Sequence, residues 1–221
     1  MTSNRIERLY KQKLVKPDVG HKTLPLAHIL KKAIIYFPEK PKKLEFDILE
    51  IGPGNGEFLL NLAQNHPNQK FLAVEIGSLR FKKIKSKIEK LKLENLTLVH
   101  GDARVVFYNE LADHSIGKCF VLFPDPWPKN KHRHRRLLQQ DFLKLIALKL
   151  KPGGFFILAT DVADYATWTL DHLEQIPDLK NALGKKQMAK TLDEIPPTYF
   201  SKKWQKIGRE FNYVKFAKVG K

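Results

Sequence analysis

Three glycines separated by single residues follow an apolar run, in the segment E-I-G-P-G-N-G over residues 50–56. Glycine lets the backbone turn sharply and approach a ligand, and a helix starting there would present unpaired N–H groups. The spacing departs from the G-x-G-x-x-G dinucleotide fingerprint, because the third glycine comes one residue early. We therefore predict a turn at Gly52, Gly54 and Gly56 that binds a nucleotide-like cofactor, with NAD as the less favoured ligand.

Carboxylates end three successive apolar runs: Glu50 before the first glycine, then Glu75, then Asp102 in the triplet G-D-A over 101–103. The carboxyl ends of parallel strands meet at the crevice where open α/β sheets bind ligands. Glu75 would accept hydrogen bonds from ribose hydroxyls, Asp102 from an adenine amino group beside Ala103, and Glu50 from a ligand ammonium. Such a set would repel a pyrophosphate and attract a sulfonium. The predicted cofactor is therefore S-adenosyl-L-methionine.

A proline-rich loop, F-P-D-P-W-P-K-N-K-H-R-H-R-R-L over 123–137, follows the fourth apolar run. Its prolines would hold Asp125 and Trp127 at the mouth of the crevice, because proline restricts the backbone. The two histidines of the basic stretch lack a third ligand, so no metal site is expected. The alternative is a rigid turn with a packed tryptophan and a solvated charge run. We predict that the loop places the Asp125 carboxylate at the crevice, with Lys129, Arg133 and Arg136 among the candidates for phosphate contacts.

Basic residues exceed acidic ones across the chain, with 40 Lys and Arg against 23 Asp and Glu and a net charge of +17. An excess of this size favours binding to polyanions such as RNA. The basic helix pattern over 80–92 is the exception, since its apolar residues repeat at helical spacing and its charges fit a solvated face. With one cysteine, no long apolar run and no signal-peptide pattern, we expect a cytoplasmic protein without a membrane or disulfide.

The elements that must position these residues alternate between short apolar runs and amphipathic segments. This alternation predicts a mostly parallel α/β sheet with helices on both faces. Residues 1–45 differ, and we predict a basic arm followed by a helix packed on the domain, with the main domain over 46–221. The predicted strands are 46–51, 70–76, 96–100, 119–123 and 155–160, with closing strand material in 209–219; the predicted helices are 57–65, 79–91, 105–111, 135–150 and 165–176.

The proline-tryptophan run, together with the glycine turn, Glu75, the G-D-A triplet, K-P-G-G at 151–154 and T-D at 160–161, resembles the bacterial tRNA (guanine-N7-)-methyltransferase family. The resemblance covers about residues 46–216. It implies a Rossmann-like class I methyltransferase fold, S-adenosyl-L-methionine as methyl donor, and a variable-loop guanosine of tRNA as substrate.

The resemblance also implies roles for single residues. Glu50, Glu75, Asp102 and Asp125 correspond to the cofactor site, with Asp125 also regarded as catalytic. The positions that correspond to tRNA binding are Lys129, Asp161 and the segment that begins at Thr198 and ends at Ser201.

One position departs from the pattern of this family, because Ser201 stands where a glutamate is usual. Two other functions remain open: a catalytically silent RNA-binding protein on this fold, and a methyltransferase for a substrate other than tRNA. The sequence leaves monomer and homodimer open.

Overall fold

The computed structural model describes residues 34–36, 45–196 and 199–220. In chain order the elements are β1 (Ile34–Tyr36), β2 (Phe46–Ile51), α1 (Glu57–Asn65), β3 (Phe71–Glu75), α2 (Ser78–Leu91), β4 (Leu96–His100), α3 (Ala103–Asn109), β5 (Ile116–Leu122), a 3₁₀ helix (Asn130–Arg135), α4 (Gln140–Lys149), β6 (Leu150–Thr160), α5 (Ala163–Leu173), β7 (Leu179–Asn181), α6 (Tyr199–Gln205) and β8 (Asn212–Lys218). Among these residues, no helix is long and apolar enough to cross a membrane.

One sheet organises the described residues, with strand order β1-β4-β3-β2-β5-β6-β8-β7. The five central strands, β4, β3, β2, β5 and β6, pair in parallel, whereas β1, β8 and β7 pair antiparallel at the two sides. From β2 the chain adds β3 and β4 on one side, and then crosses back to add β5 and β6 on the other side. The strand order therefore reverses between β2 and β5. A ligand crevice is expected outside the carboxyl ends of the strands at such a point.

Helices cover both faces of the sheet, as the alternation of elements predicts. Successive strand residues point to opposite faces, so Leu49 joins the core under α3, α4 and α5 while Ile48 joins the core under α1 and α2. On α2 the buried residues Phe81, Ile84 and Ile88 recur at helical spacing. The mostly parallel α/β fold is thereby confirmed.

Two local predictions at β6 and α4 are wrong. Helix α4 begins at Gln140, not at residue 135, because the basic stretch forms a 3₁₀ helix of its own. The strand predicted over 155–160 begins at Leu150 and includes the K-P-G-G segment as a bulge, since the register moves from Ile116 opposite Leu150 to Lys118 opposite Phe155. A Cβ on Gly154 would lie 2.6 Å from the carbonyl oxygen of Gly117, so the close approach of the two strands requires glycine there.

The helix predicted before residue 45 is also wrong where the structure describes it. Ile34–Tyr36 is a strand that pairs antiparallel with β4, although Ile34 belongs to an apolar stripe at helical spacing. Pairing with the sheet edge overrides that local pattern. The remainder of the predicted arm and helix lies outside the described residues, and the division at residue 45 remains a prediction. Strand β7 has only three residues, and no sequence pattern predicted it.

Candidate active site

The glycine turn connects β2 to α1 at the carboxyl edge of the sheet. Gly52, Gly54 and Gly56 have φ values of 70°, 60° and 79°, a region that other residues enter only at a cost. A Cβ at Gly56 would also lie 2.9 Å from Cδ1 of Leu60, whereas Gly52 and Gly54 face open space. The Lys87 ammonium of α2 donates to the carbonyl oxygen of Asn55 at 2.7 Å and ties the turn to that helix. The turn thus exposes backbone to the cleft beside it.

Glu50 and Glu75 end adjacent parallel strands and are 2% and 1% exposed. Oε1 of Glu75 accepts from the backbone N–H of Gly77 at 2.7 Å. The Oε2 atom of each glutamate is buried and has no hydrogen-bond partner among the described residues. A buried carboxylate oxygen without a donor is costly, so both atoms indicate a ligand that supplies donors.

Burial, with a smaller contribution from the negative charge of Glu75, raises the pKa of Glu50 to about 8. Glu50 therefore carries a proton near neutral pH in the ligand-free protein. A cation bound beside it would favour the ionised form.

Asp102 lies at the end of β4 and caps α3, where its side chain accepts from the Arg104 backbone N–H at 2.9 Å. The Arg104 guanidinium Nε also donates to it at 3.0 Å. Asp102 and Ala103 line the cleft as expected, but the carboxylate of Asp102 already accepts from the backbone N–H and from two guanidinium nitrogens of Arg104.

The proline-rich loop follows β5 and carries Asp125 on a strained backbone. Phe123 and Trp127 have positive φ values of 52° and 41°, which cost free energy for non-glycine residues. The ring of Phe123 packs edge-to-face on buried Phe211, with centroids 5.0 Å apart. Asp125 is exposed, and its loop is held by Arg136, whose Nε donates to the carbonyl oxygen of Pro126 at 3.0 Å.

Two cavities meet at this loop. A cavity of about 240 Å³ is lined by Glu75, Asp102 and Ala103, and one of about 460 Å³ by Glu50, the glycine turn and Asp161. Gly52 and Asp125 line both cavities. The structure therefore brings all the predicted cofactor residues except Gly56 to the walls of two adjoining spaces, with Asp125 between them.

The far wall of the larger cavity contains residues that the sequence did not single out. Trp204 and Arg209 line it beside Asp161, and Arg209 forms an ion pair with Asp161. Arg80, on α2, lines both cavities. Only the residue type could have indicated a role for them. Arg80 lies in a basic helix face, and Trp204 lies in a segment without a motif.

Of the predicted tRNA-binding residues, Lys129 is exposed before the 3₁₀ helix, and Arg133 is half-buried with an ion pair to Asp164 at 2.7 Å. Ser201 is buried, and Thr198 lies outside the described residues. Arg136 is wrong as a phosphate contact, because its side chain has no exposed surface. It pairs with Asp164 and lies over the rings of Tyr165 and Trp168.

Comparisons with known proteins agree with this architecture. The sequence profile of a family described as "Putative methyltransferase" matches residues 45–213. The tRNA (guanine-N(7)-)-methyltransferase of Alkalilimnicola ehrlichii is 40% identical over 163 residues, which are 74% of this chain and 68% of that protein. The tRNA (guanine-N(7)-)-methyltransferase of Nitrosomonas eutropha is 37% identical over 172 residues, 78% of this chain and 76% of that protein.

Solved structures match at the level of the fold. The 16S rRNA methyltransferase KamB superposes with a TM-score of 0.58 at 18% identity, covering 80% of this chain and 90% of that one. A SAM-dependent methyltransferase from Aquifex aeolicus gives 0.55 at 14% identity, covering 80% and 85%. These likenesses confirm the Rossmann-like methyltransferase fold. By its sequence profile and its curated relatives, the chain belongs to the same methyltransferase family as these tRNA (guanine-N(7)-)-methyltransferases.

Proposed function

We propose that this protein transfers a methyl group from S-adenosyl-L-methionine to N7 of a guanosine in tRNA, the activity named for its relatives. The observation that carries the proposal is the position of Asp125. It lies on a strained loop on the wall shared by two cavities, one with Glu75 and the other with Glu50. A methyl donor that spans both cavities would pass this carboxylate, and the part of the larger cavity beside Asp161 would leave room for the acceptor.

The residues present fit the methyl donor. The unpaired Oε2 of Glu75 would accept from ribose hydroxyls, and that of Glu50 would accept from the ammonium of the methionine part. The open space at Gly52 and Gly54 admits a ligand against the backbone. Ala103 and Asp102 would lie along the adenine, where the carboxylate of Asp102 is already held by Arg104. Carboxylates on both cavities favour a cationic ligand over a dinucleotide pyrophosphate.

When bound, the cofactor would supply an electrophilic methyl carbon for the N7 lone pair, and the electron pair of the broken C–S bond would stay on sulfur. N7 of guanine carries no proton, so Asp125 is not required as a general base. Its carboxylate instead orients the base by accepting N–H groups or stabilises the positive charge that develops on the purine. The rigid backbone around it keeps that carboxylate in place without reorganisation.

The exposed basic residues around the 3₁₀ helix supply a surface for tRNA phosphates. Lys129, Lys131 and Arg135 are exposed. Arg135 lines the smaller cavity, and its guanidinium carbon lies 5.1 Å from the centroid of the Trp127 ring. Contacts of this kind position an RNA without reading its sequence. A tRNA substrate also implies the cytoplasm as the place of action, as the sequence predicts.

The experiment is methyl transfer from labelled S-adenosyl-L-methionine to one of three acceptors: bulk tRNA, double-stranded DNA, or a mixture of small metabolites. We expect label in tRNA alone, and weaker cofactor binding by calorimetry for Glu75→Ala than for wild type. Label in the metabolites would assign a different substrate. Binding of tRNA without transfer would indicate a catalytically silent RNA-binding protein.

A further inference from the structure

A cation is held at the rim of the larger cavity between an aromatic face and a carboxylate. The guanidinium carbon of Arg209 lies 3.8 Å from the centroid of the Trp204 ring, and the same group forms an ion pair with Asp161. All three residues line the cavity that Asp125 also lines. The Asp161 side chain is 10% exposed and that of Arg209 is 44% exposed. The cavity thus offers a recessed carboxylate and a ring face, both covered by an accessible arginine.

The guanidinium group of Arg209, which contacts Trp204 and Asp161, resembles guanine chemically. A guanidinium is planar and presents a fork of N–H donors that suits a carboxylate. Guanine presents the same fork at N1–H and the N2 amino group, and its flat ring stacks on aromatic side chains as a guanidinium does. After methylation at N7 the purine is itself a planar cation, which an aromatic face attracts.

The family resemblance already implies a substrate contact for Asp161, so the target guanine would enter here. We propose that Arg209 fills this position, over the ring of Trp204, until the base displaces it. The inference rests on the proposed function. Trp204 stacks on the base while Asp161 accepts from its N1–H and N2–H groups. N7 lies on the opposite edge of the purine, so this contact directs N7 away from Asp161 and across the cavity, toward the wall that carries Asp125.

The same position favours the reaction electrostatically. Positive charge develops on the purine as N7 takes the methyl group, and the ring face and carboxylate that hold the Arg209 cation stabilise that charge. Ser201 is buried and does not line the cavity, so it supplies no acceptor there. Asp161 is the carboxylate that holds the guanidinium over the Trp204 ring, so it would supply the acceptor for the guanine N–H edge.

Displacement of Arg209 breaks its ion pair with the recessed Asp161 and its contact with the Trp204 ring, so the incoming guanine must replace both contacts. The Arg209 side chain is 44% exposed, which gives it a path to solvent. Arg209 follows Gly208, which has a φ of 77°, in the turn between α6 and β8. Once displaced, the guanidinium faces solvent at the cavity mouth, where the phosphates of a bound RNA would lie.

The test is calorimetric binding of 7-methylguanosine 5′-monophosphate and of GMP to the full chain and its variants. We expect the methylated nucleotide to bind more tightly than GMP, because it is cationic. Trp204→Leu should weaken its binding by about tenfold, a loss typical of one stacking contact, whereas Trp204→Phe should retain most of it. Asp161→Asn should weaken it too. Arg209→Ala and Arg209→Gln should instead tighten it several-fold, because they remove the competing group.

The matched control is Lys190→Ala, which removes one positive charge from an exposed ion pair with Glu210 outside the cavity. It should leave nucleotide binding unchanged. If both Arg209 variants weaken binding of the methylated nucleotide or leave it unchanged, the inference is wrong. If the wild-type protein forms no 7-methylguanosine in tRNA, the proposed function is wrong, irrespective of the measured nucleotide affinities. Formation of 7-methylguanosine together with unaltered binding in the Arg209 variants would overturn the inference about Arg209 alone.

Discussion

At the scale of single residues, buried Glu50 links stability to pH. Its pKa is raised from 4.5 to about 8 in the folded protein, so the folded chain retains a proton that the unfolded chain loses in this window. The contribution of Glu50 to stability is therefore fully present below about pH 4.5 and is lost as the pH rises to about 8. Relative to Glu50→Gln, wild type should lose up to about 1.4 kcal/mol of unfolding free energy per pH unit.

Denaturant unfolding of both proteins from pH 5 to pH 8 measures this difference. Other groups that titrate in the same range cancel in the comparison, since both proteins contain them. A difference that stays constant across the range would show that Glu50 is ionised in the folded state.

Asp125 is the second residue with a testable role, which concerns the rate of methyl transfer and its pH dependence. Asp125→Asn should leave the fold intact and lower single-turnover methylation by about 10²–10³, the effect of one preorganised electrostatic contact. Because N7 has no proton to lose, the wild-type rate at saturating substrates should show no titration of a general base between pH 6 and pH 9. A basic limb that is present in wild type and missing in Asp125→Asn would instead give Asp125 a proton-transfer role.

The sequence revealed the carboxylates of the site but not its full wall. Glu50, Glu75 and Asp102 could be predicted because each ends an apolar run, and parallel strands bring such ends together. Trp204 and Arg209 are more than forty positions from Asp161 and reach it only through the antiparallel pairing of β8 with β6. No spacing within the sequence reports that contact. Arg136 was misplaced because its type indicates a surface charge, while its position behind the loop buries it.

At the scale of elements, Arg136 fastens the proline-rich loop to α5. Its side chain donates to Pro126 and pairs with Asp164, so both the loop and the helix depend on it. Arg136→Ala should lower the unfolding free energy by about 2 kcal/mol, in the range for hydrogen bonds that involve charged groups. Methylation should also slow in kcat, because the backbone next to Asp125 loses its anchor.

Thermal unfolding and steady-state kinetics measure the two effects. Lys131→Ala is the control for stability, since Lys131 is exposed in the same basic stretch. An Arg136 variant as stable and as active as wild type would show that the prolines hold the loop without this contact.

The boundaries of α4 and β6 show why local sequence patterns led to wrong predictions. The apolar repeat from Leu137 onward suggested one helix from residue 135, but Arg136 is drawn inward to Pro126 and Asp164, and α4 restarts at Gln140. Similarly, the strand predicted over 155–160 begins at Leu150, because the pairing of β6 with β5 includes K-P-G-G as a bulge inside the strand. In both cases a tertiary contact decided the outcome. The central strands were predictable because burial on both faces leaves continuous apolar runs.

At the scale of the whole molecule, the net charge of +17 predicts salt-dependent binding of tRNA. The double variant Lys129→Ala/Lys131→Ala removes two exposed cations at the start of the 3₁₀ helix. It should weaken tRNA binding and reduce the slope of log affinity against log salt by about 0.7–0.9 for each lost phosphate contact. Filter binding between about 50 and 200 mM salt measures the slope.

A charge-matched control comes from α2, where Lys82 and Lys83 are exposed on the face away from the core. Lys82→Ala/Lys83→Ala removes the same charge from a helix that we interpret as merely solvated. Equal effects of the two double variants would show that net charge alone, rather than a surface beside the cavities, holds the RNA.

The central claim is that the two adjoining cavities transfer a methyl group to N7 of a guanosine in tRNA. The most direct measurement is nucleoside analysis of unmodified tRNA after reaction with the purified protein and S-adenosyl-L-methionine. We predict 7-methylguanosine as the methylated nucleoside, formed by wild type and strongly reduced in Asp125→Asn. Methylation at another base or atom, or tRNA left unmodified by a protein that binds both the cofactor and tRNA, would contradict the claim.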